Sequence, residues 1–417
     1  MAKPGGDMAR KGALRLVQGV RDGRSLAEQA GALRHLPVAD QARAQRLAVA
    51  VLRNAGRADA VLAQFMDRRP KPEIADILRL GVVEMLDDAQ AAHGVVSTCV
   101  DLTRATGKRG QAAAGMVNAV LRKVAGFQGW ADLSPQALPD WLRGPLVDAW
   151  GADAVRGFET AHQAGAPLDL TVKPGAAAPD GDALPMGSVR IHGPVQVSAL
   201  PGYDAGDWWV QDAAAALPVR LLDPQPGERI ADLCAAPGGK TLQLAAAGAD
   251  VTAIDINDAR LRRVRENLTR CGLTAQLVVA DALDWRPDQP LDAVLLDAPC
   301  SATGTIRRHP DLPLIRDGHG ISDLIDLQAR MIDHALTLLR PGGRLVYATC
   351  SLIPDEGEVQ IDDALTRHPG LSVIRPDGLG VDPAWITDEG GIRLRPDYWP
   401  DRGGMDGFYM ACLQKPG

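Results

Sequence analysis

The chain has 417 residues, 46% hydrophobic and 23% charged, which exceeds a single small module and corresponds to about three domains at ordinary domain size. No apolar run approaches the ~20 residues of a membrane span. The N-terminus MAKPGGDMARKGALRL carries no apolar secretory segment, and the six cysteines form no CxxC pair. These features predict a cytoplasmic protein with no membrane partner, no disulfide framework and no metal site. The net charge of −7 conceals an asymmetry: residues 1–130 hold 20 Lys+Arg against 12 Asp+Glu, and the remainder holds 25 against 40. A basic module joined to a more acidic one is the expectation.

From about residue 8 to 126, apolar residues recur at three and four positions, as in Ile74, Ile77, Leu78, Val82 and Met85, then Val117, Val120 and Leu121. This is helical period, and it predicts a bundle of five to seven helices. Its surplus cations, Arg10, Lys11, Arg15, Arg104, Lys108, Arg109, Arg122 and Lys123, are either a solvated face or an RNA-facing patch. Residues 139–151, PDWLRGPLVDAWG, read as a further amphipathic helix, and the runs LDLTV and SVRIHG flank a Pro/Gly/Asp-rich stretch. A small α+β subdomain over 131–222 follows from that alternation.

After the turn composition of DPQPGE (223–228), apolar strands alternate with amphipathic helices: RIADLCA, DVTAIDI, AQLVVAD, LDAVLLDAP and GRLVYATCS. The pattern predicts a parallel, doubly wound α/β sheet of Rossmann-like type over 223–417. Ligands bind such sheets outside the carboxyl ends of the strands, where this chain places Asp232, Asp255, Asp281, Asp297 and Cys350.

The segment DLCAAPGGKT (232–241) closes the first of these strands and opens a helix, so its small residues allow close backbone approach to a ligand. Its Gly-Gly-Lys-Thr tail imitates a phosphate loop, but that pattern requires glycine where Cys234 stands, and no GxGxxG is present. Asp255 keeps a nucleotide in play because a strand-end carboxylate takes a ribose diol. A phosphate-free adenosine cofactor, with S-adenosylmethionine leading, fits best. DAPCSATGT (297–305) and ATCS (348–351) put two cysteines at strand ends. A free thiol is mostly protonated at neutral pH, so either one needs local activation.

Together these motifs resemble the RNA cytosine-5 methyltransferases that include the NOL/NOP/Sun proteins. The likeness runs over about residues 140–415 and includes PGG, DAPCS, TCS, RLRP (393–396) and DGFYMA (406–411). The helical module, with RLGVVEML, DLTRATGK and GMVNAVLRKV, is similar to the NusB-type RNA-binding fold. The fusion in this order resembles the bacterial small-subunit (16S) ribosomal RNA methyltransferase B family. The resemblance implies a NusB-like RNA-binding domain over 8–130, a small RNA-binding subdomain over 131–222 and a methyltransferase domain over 223–417.

It further implies methylation of carbon-5 of a cytosine in small-subunit ribosomal RNA, naked or in an early assembly particle, by a monomer. Cys350 would be the nucleophile on carbon-6, Asp297 would hold or protonate the pyrimidine edge, Cys300 would assist product release, and Lys240 would touch the catalytic centre. Cys234, Ala235, Ala236, Pro237, Gly238, Gly239 and Lys240 would wrap the methionine end of S-adenosylmethionine. Asp255 would take the ribose, Arg260 would cover it, Asp281 would lie by the adenine, and Asp297 would border the same cofactor. Gln211, Asp212, the IRRHPD run (306–311) and Arg395 would face RNA or brace the site.

The chain departs from the family where Glu356-Gly357-Glu358 replaces a Glu-Asn-Glu run, putting helix capping there in question, where Leu314 or its neighbours replace a customary Trp, and where Lys173 replaces an Asn. Three alternatives remain: a DNA-type enzyme whose PC cysteine attacks, methylation of another RNA such as tRNA, and a non-catalytic RNA-binding assembly factor.

Overall fold

The computed structural model describes residues 4–193 and 195–417; Met1, Ala2 and Lys3 of the N-terminal stretch lie outside the described residues. The chain divides into two compact units. One comprises Met1–Val147, Ala152–Ala164 and Ile306–Gly318; the other comprises Asp148–Gly151, Gly165–Thr305 and His319–Gly417.

The first unit is helical: α1 (Pro4–Arg21), α2 (Val38–Arg53), α3 (Ala55–Leu62), α4 (Pro72–Leu86), α5 (Ala92–Ala105) and α6 (Lys108–Val124). α7 (Asp140–Trp150) crosses the boundary, and α8 (Ala152–Ala164) returns to this unit. Residues at helical spacing, among them Val17, Leu47, Val51, Ile77, Leu78, Cys99, Val117 and Leu121, form one continuous core. Arg10 belongs to that interior, because its guanidinium donates to Glu84 Oε2 at 2.6 Å and Glu84 is wholly buried. It is therefore not part of a solvated or RNA-facing patch. Lys11, Arg15, Arg104, Lys108, Arg109, Arg122 and Lys123 are exposed.

The second unit opens with an antiparallel sheet of β1 (Leu168–Val172), β2 (Asp182–Ala183), β3 (Val189–Ile191) and β4 (Trp208–Val210), in the order β2-β3-β1-β4. Then come α9 (Ala213–Leu222), β5 (Arg229–Leu233), α10 (Gly239–Ala246), β6 (Asp250–Asp255), α11 (Asp258–Cys271), β7 (Gln276–Val279) and β8 (Leu291–Asp297). Between β8 and the rest of this unit, Ile306–Gly318, including α12 (Leu312–Ile315), belongs to the helical unit. There Asp311 accepts from the Leu26 N–H at 2.8 Å, and Arg53 donates to the Arg307 carbonyl at 2.8 Å. The IRRHPD run thus braces helices. α13 (Ile321–Leu338), β9 (Leu339–Thr349), α14 (Glu358–Arg367), β10 (Ser372–Ile374), β11 (Ile392–Leu394) and β12 (Phe408–Gln414) complete the second unit.

The large sheet runs β10-β12-β9-β8-β5-β6-β7, with β11 paired to β12. β7, β6, β5, β8 and β9 are parallel, and β12 joins β9 antiparallel, with Met410 opposite Ala348. Their apolar runs are continuous because both faces are covered: Ala293 and Leu295 enter one core, while Val294 and Leu296 enter the other. From β5 the chain winds one way to β6, and β8 lies on its other side, so the strand order switches between β5 and β8. A crevice opens at their carboxyl ends.

Candidate active site

β5 ends into the loop 234–238, whose shape its residues dictate. Cys234 adopts a positive φ of 62°, the Ala236–Pro237 peptide is cis, and Gly238 has φ 103°. A Cβ on Gly238 would stand 3.0 Å from Val264 of α11, so only glycine allows this loop to lie on that helix. The loop is tied to the neighbouring strand end, since the Ala236 N–H donates to Asp255 Oδ2 at 3.2 Å. Arg260 spans both, donating to the Ala236 carbonyl at 2.8 Å and lying 3.3 Å from Asp255 Oδ2. Beneath the loop, wholly buried Asp232 accepts from the Thr241 hydroxyl at 2.5 Å, and burial pushes its carboxyl up to about 7.

On the other side of the switch point, Lys240 Nζ donates to Asp297 Oδ2 at 2.7 Å and lies 5.2 Å from the Phe408 ring centroid. The loops after β8 and β9 carry the two cysteines, whose Sγ atoms stand 3.5 Å apart. The hydrogen bond to Cys300, burial and the Asp297 carboxylate push the Cys350 thiol well above its ordinary range, and Lys240 opposes them.

A cavity of about 440 Å³ opens here. Cys234, Ala236, Asp255, Arg260, Asp281, Asp297, Cys300 and Cys350 line it, and Ile256, Ala282, Pro299, Leu327 and Met331 give it apolar surface. Ala235 is buried in the loop, Lys240 reaches the site through Asp297, and Gly239 begins α10. Asp281 is exposed and caps the turn after β7 by accepting from the Leu283 N–H at 2.9 Å.

The 16S rRNA methyltransferase RsmB/F family model matches residues 219–414, and the NusB family model matches residues 7–126. The ribosomal RNA small subunit methyltransferase B of Xanthomonas campestris is 37% identical over 440 aligned positions, which span 98% of each chain. That of Erwinia tasmaniensis is 36% identical, over 90% of this chain and 91% of its own. The chain belongs to the ribosomal RNA small subunit methyltransferase B family. Membership places it among the S-adenosylmethionine-dependent ribosomal RNA methyltransferases. Of the solved structures, a methyltransferase homologue from Pyrococcus horikoshii is 28% identical with TM-score 0.55, covering 66% of this chain and 94% of its own. Another structure covers both chains fully at TM-score 0.71 and 23% identity, a likeness of fold.

Two groups of residues differ from the expectation. Leu327 and Met331 of α13 face the cavity, and no motif marks them in the sequence. Gln211 is engaged internally, accepting from the Thr171 hydroxyl and the Trp209 indole and donating to Gln243. Asp212 caps α9 by accepting from the Ala214 N–H at 2.8 Å, and Arg395 pairs with Asp397 through both carboxylate oxygens. The Gly357 substitution also has a local reason: a Cβ there would meet Arg393 and come within 2.9 Å of Tyr409 Cγ. α14 accordingly starts without a side-chain cap. Lys173 donates to the Cys271 carbonyl at 2.8 Å, satisfying the C-terminal end of α11.

Proposed function

We propose that this methyltransferase modifies carbon-5 of one cytosine in small-subunit ribosomal RNA through a covalent bond between Cys350 and carbon-6. The observation that carries the reading is the pair of thiols 3.5 Å apart beside the Lys240–Asp297 ion pair, on one cavity. The cavity also fits the cofactor. Its volume lies within the ~300–1,000 Å³ of small-molecule sites, its apolar surface suits a purine, and the Asp255 carboxylate suits a ribose diol. Asp281 lies on the adenine side, Arg260 covers the ribose, and the loop Cys234–Gly239 receives the methionine end. S-adenosylmethionine supplies an electrophilic methyl group when bound.

The rest falls to the chain's own side chains. Cytosine carbon-5 is a weak nucleophile until sulfur adds to carbon-6 and converts the ring to an enamine. Cys350 rests as the thiol, so as sulfur adds to carbon-6 its proton passes to Asp297 on the same cavity, which hands it to the ring nitrogen. Asp297, held by Lys240, bears on the pyrimidine edge where charge develops during addition. Once carbon-5 has been methylated, its proton goes to water, the C–H electron pair reforms the carbon-5–carbon-6 double bond, and Cys350 leaves as the thiolate with the Cys300 thiol, 3.5 Å away, donating to it. The same proposal assigns residues 8–130 and 131–222 to RNA binding and 223–417 to catalysis, with the chain acting as a monomer.

Methylation at carbon-5 expels the hydrogen there. Incubation with S-adenosylmethionine and a small-subunit ribosomal RNA transcript labelled with tritium at cytosine carbon-5 is expected to release tritium in step with methyl incorporation. Methyl incorporation without tritium release would refute the carbon-5 assignment.

A further inference from the structure

The two thiols sit on separate loops, and nothing in either loop's own sequence fixes a 3.5 Å separation between them. The loops meet directly, with the Gly304 N–H donating to the Cys350 carbonyl at 2.9 Å and the Ser301 and Ser351 hydroxyls 3.1 Å apart, and one further side chain holds both. Glu356, in the turn after β9, is wholly buried. Its Oε1 accepts from the Ser301 N–H at 2.8 Å and from Gln328 Nε2 at 3.0 Å. Its Oε2 accepts from the Ser351 hydroxyl at 2.6 Å and from the Ser301 hydroxyl. Ser301 follows Cys300 and Ser351 follows Cys350, so one carboxylate holds the residue after each thiol. Its own carbonyl accepts from Tyr347 at 2.8 Å and from Thr349 at 3.0 Å, anchoring it to β9.

We propose that Glu356 is a positioning residue that sets the spacing of Cys300 and Cys350, and so couples attack by one thiol to release by the other. This rests on the two-cysteine reading above. The carboxylate spends both oxygens on Ser301, Ser351 and Gln328 and lies outside the residues that line the cavity, so it acts through the cysteines. Glutamine preserves the shape: its carbonyl still accepts from Ser301 N–H and Gln328, and its amide donates to hydroxyls that turn to accept. Alanine leaves buried donors without a partner and removes the hold on the residue after each thiol, leaving the direct contacts between the loops. A misplacement of about 1 Å at reacting groups costs on the order of 100-fold in rate.

The test is steady-state methylation of a small-subunit ribosomal RNA transcript by the full chain. For Glu356→Ala, kcat is expected to fall about 100-fold while KM for RNA and the cofactor Kd stay within about threefold. Glu356→Gln is expected to recover most of that loss. Should Glu356→Ala not fold, the double variant Ser301→Ala/Ser351→Ala, which cuts both hydroxyl ties and keeps the Ser301 N–H tie, is expected to lose kcat in the same direction by a smaller factor. Unchanged kcat in the folded alanine or double-serine variant, or a loss confined to KM and cofactor affinity, would overturn the proposal. Cys350→Ala is run beside them: activity retained there overturns the two-cysteine reading itself, whereas activity lost there but kept without Glu356 overturns only the positioning role.

Discussion

The two units use polar residues in opposite ways. At the strand ends of the sheet unit, Asp255, Asp297, Cys300 and Cys350 open on one cavity although they lie on different strands and loops. In the helical unit, several of the charges that make the module basic are consumed by its own interior. Arg10 is buried against Glu84, Arg57 donates to Asn54 and packs over Trp130, and Arg79 pairs with Asp59. A cation count therefore overstates the surface available to RNA, whereas strand-end chemistry converges because the topology delivers every parallel strand to the same edge. The exposed surplus that remains is concentrated on α6, which carries Lys108, Arg109, Arg122 and Lys123 and no acidic residue.

This contrast can be broken at either end. The largest effect is expected inside the helical unit. Arg10→Ala leaves the buried Glu84 with only Arg43, 3.5 Å away, and should lower unfolding free energy by about 3 kcal/mol in denaturant melts, with no change in the salt dependence of RNA binding. Replacing Lys108, Arg109, Arg122 and Lys123 together by Gln should do the reverse, leaving stability nearly intact. The slope of log affinity against log salt should then fall by about 3 for single-stranded contacts. An unchanged slope would move the RNA footprint off α6.

A smaller effect is expected at the thiols. Because Cys350 is held up first by its hydrogen bond to Cys300, then by burial and Asp297, its thiolate fraction at neutral pH is low and rises with pH. Removing the neighbour in Cys300→Ala lowers that pKa. The alkylation of Cys350 by iodoacetamide, followed by mass spectrometry, should then shift to lower pH. A profile unmoved by Cys300→Ala would show that the pair does not interact.

The parallel strands were legible because each is an apolar run closed by a polar or sulfur-bearing residue, and the structure places all five where the runs stand. The antiparallel edge was not: Ser372–Ile374 and Ile392–Leu394 are three residues each, too short to show a period. The path of 306–318 was equally hidden, since its composition reads as a loop and its partners Leu26 and Arg53 lie about 250 residues or more away in sequence. The cavity-lining polar residues were read from motifs. Glu356 was read only as part of a run near a helix start, because its partner Ser301 is 55 residues distant and no local pattern announces it. Charge was the least legible property, since Arg10 and Lys11 look alike in sequence and differ completely in burial.

The central claim is that Cys350 forms the bond to the base. It is tested most directly by incubating the protein with S-adenosylmethionine and small-subunit ribosomal RNA transcribed with 5-fluorocytosine, which blocks release, and resolving the products on a denaturing gel. A covalent protein–RNA species is expected with wild type and with Cys300→Ala and is expected to vanish with Cys350→Ala. A species that survives in Cys350→Ala and vanishes in Cys300→Ala would contradict the account and assign the nucleophile to the other thiol.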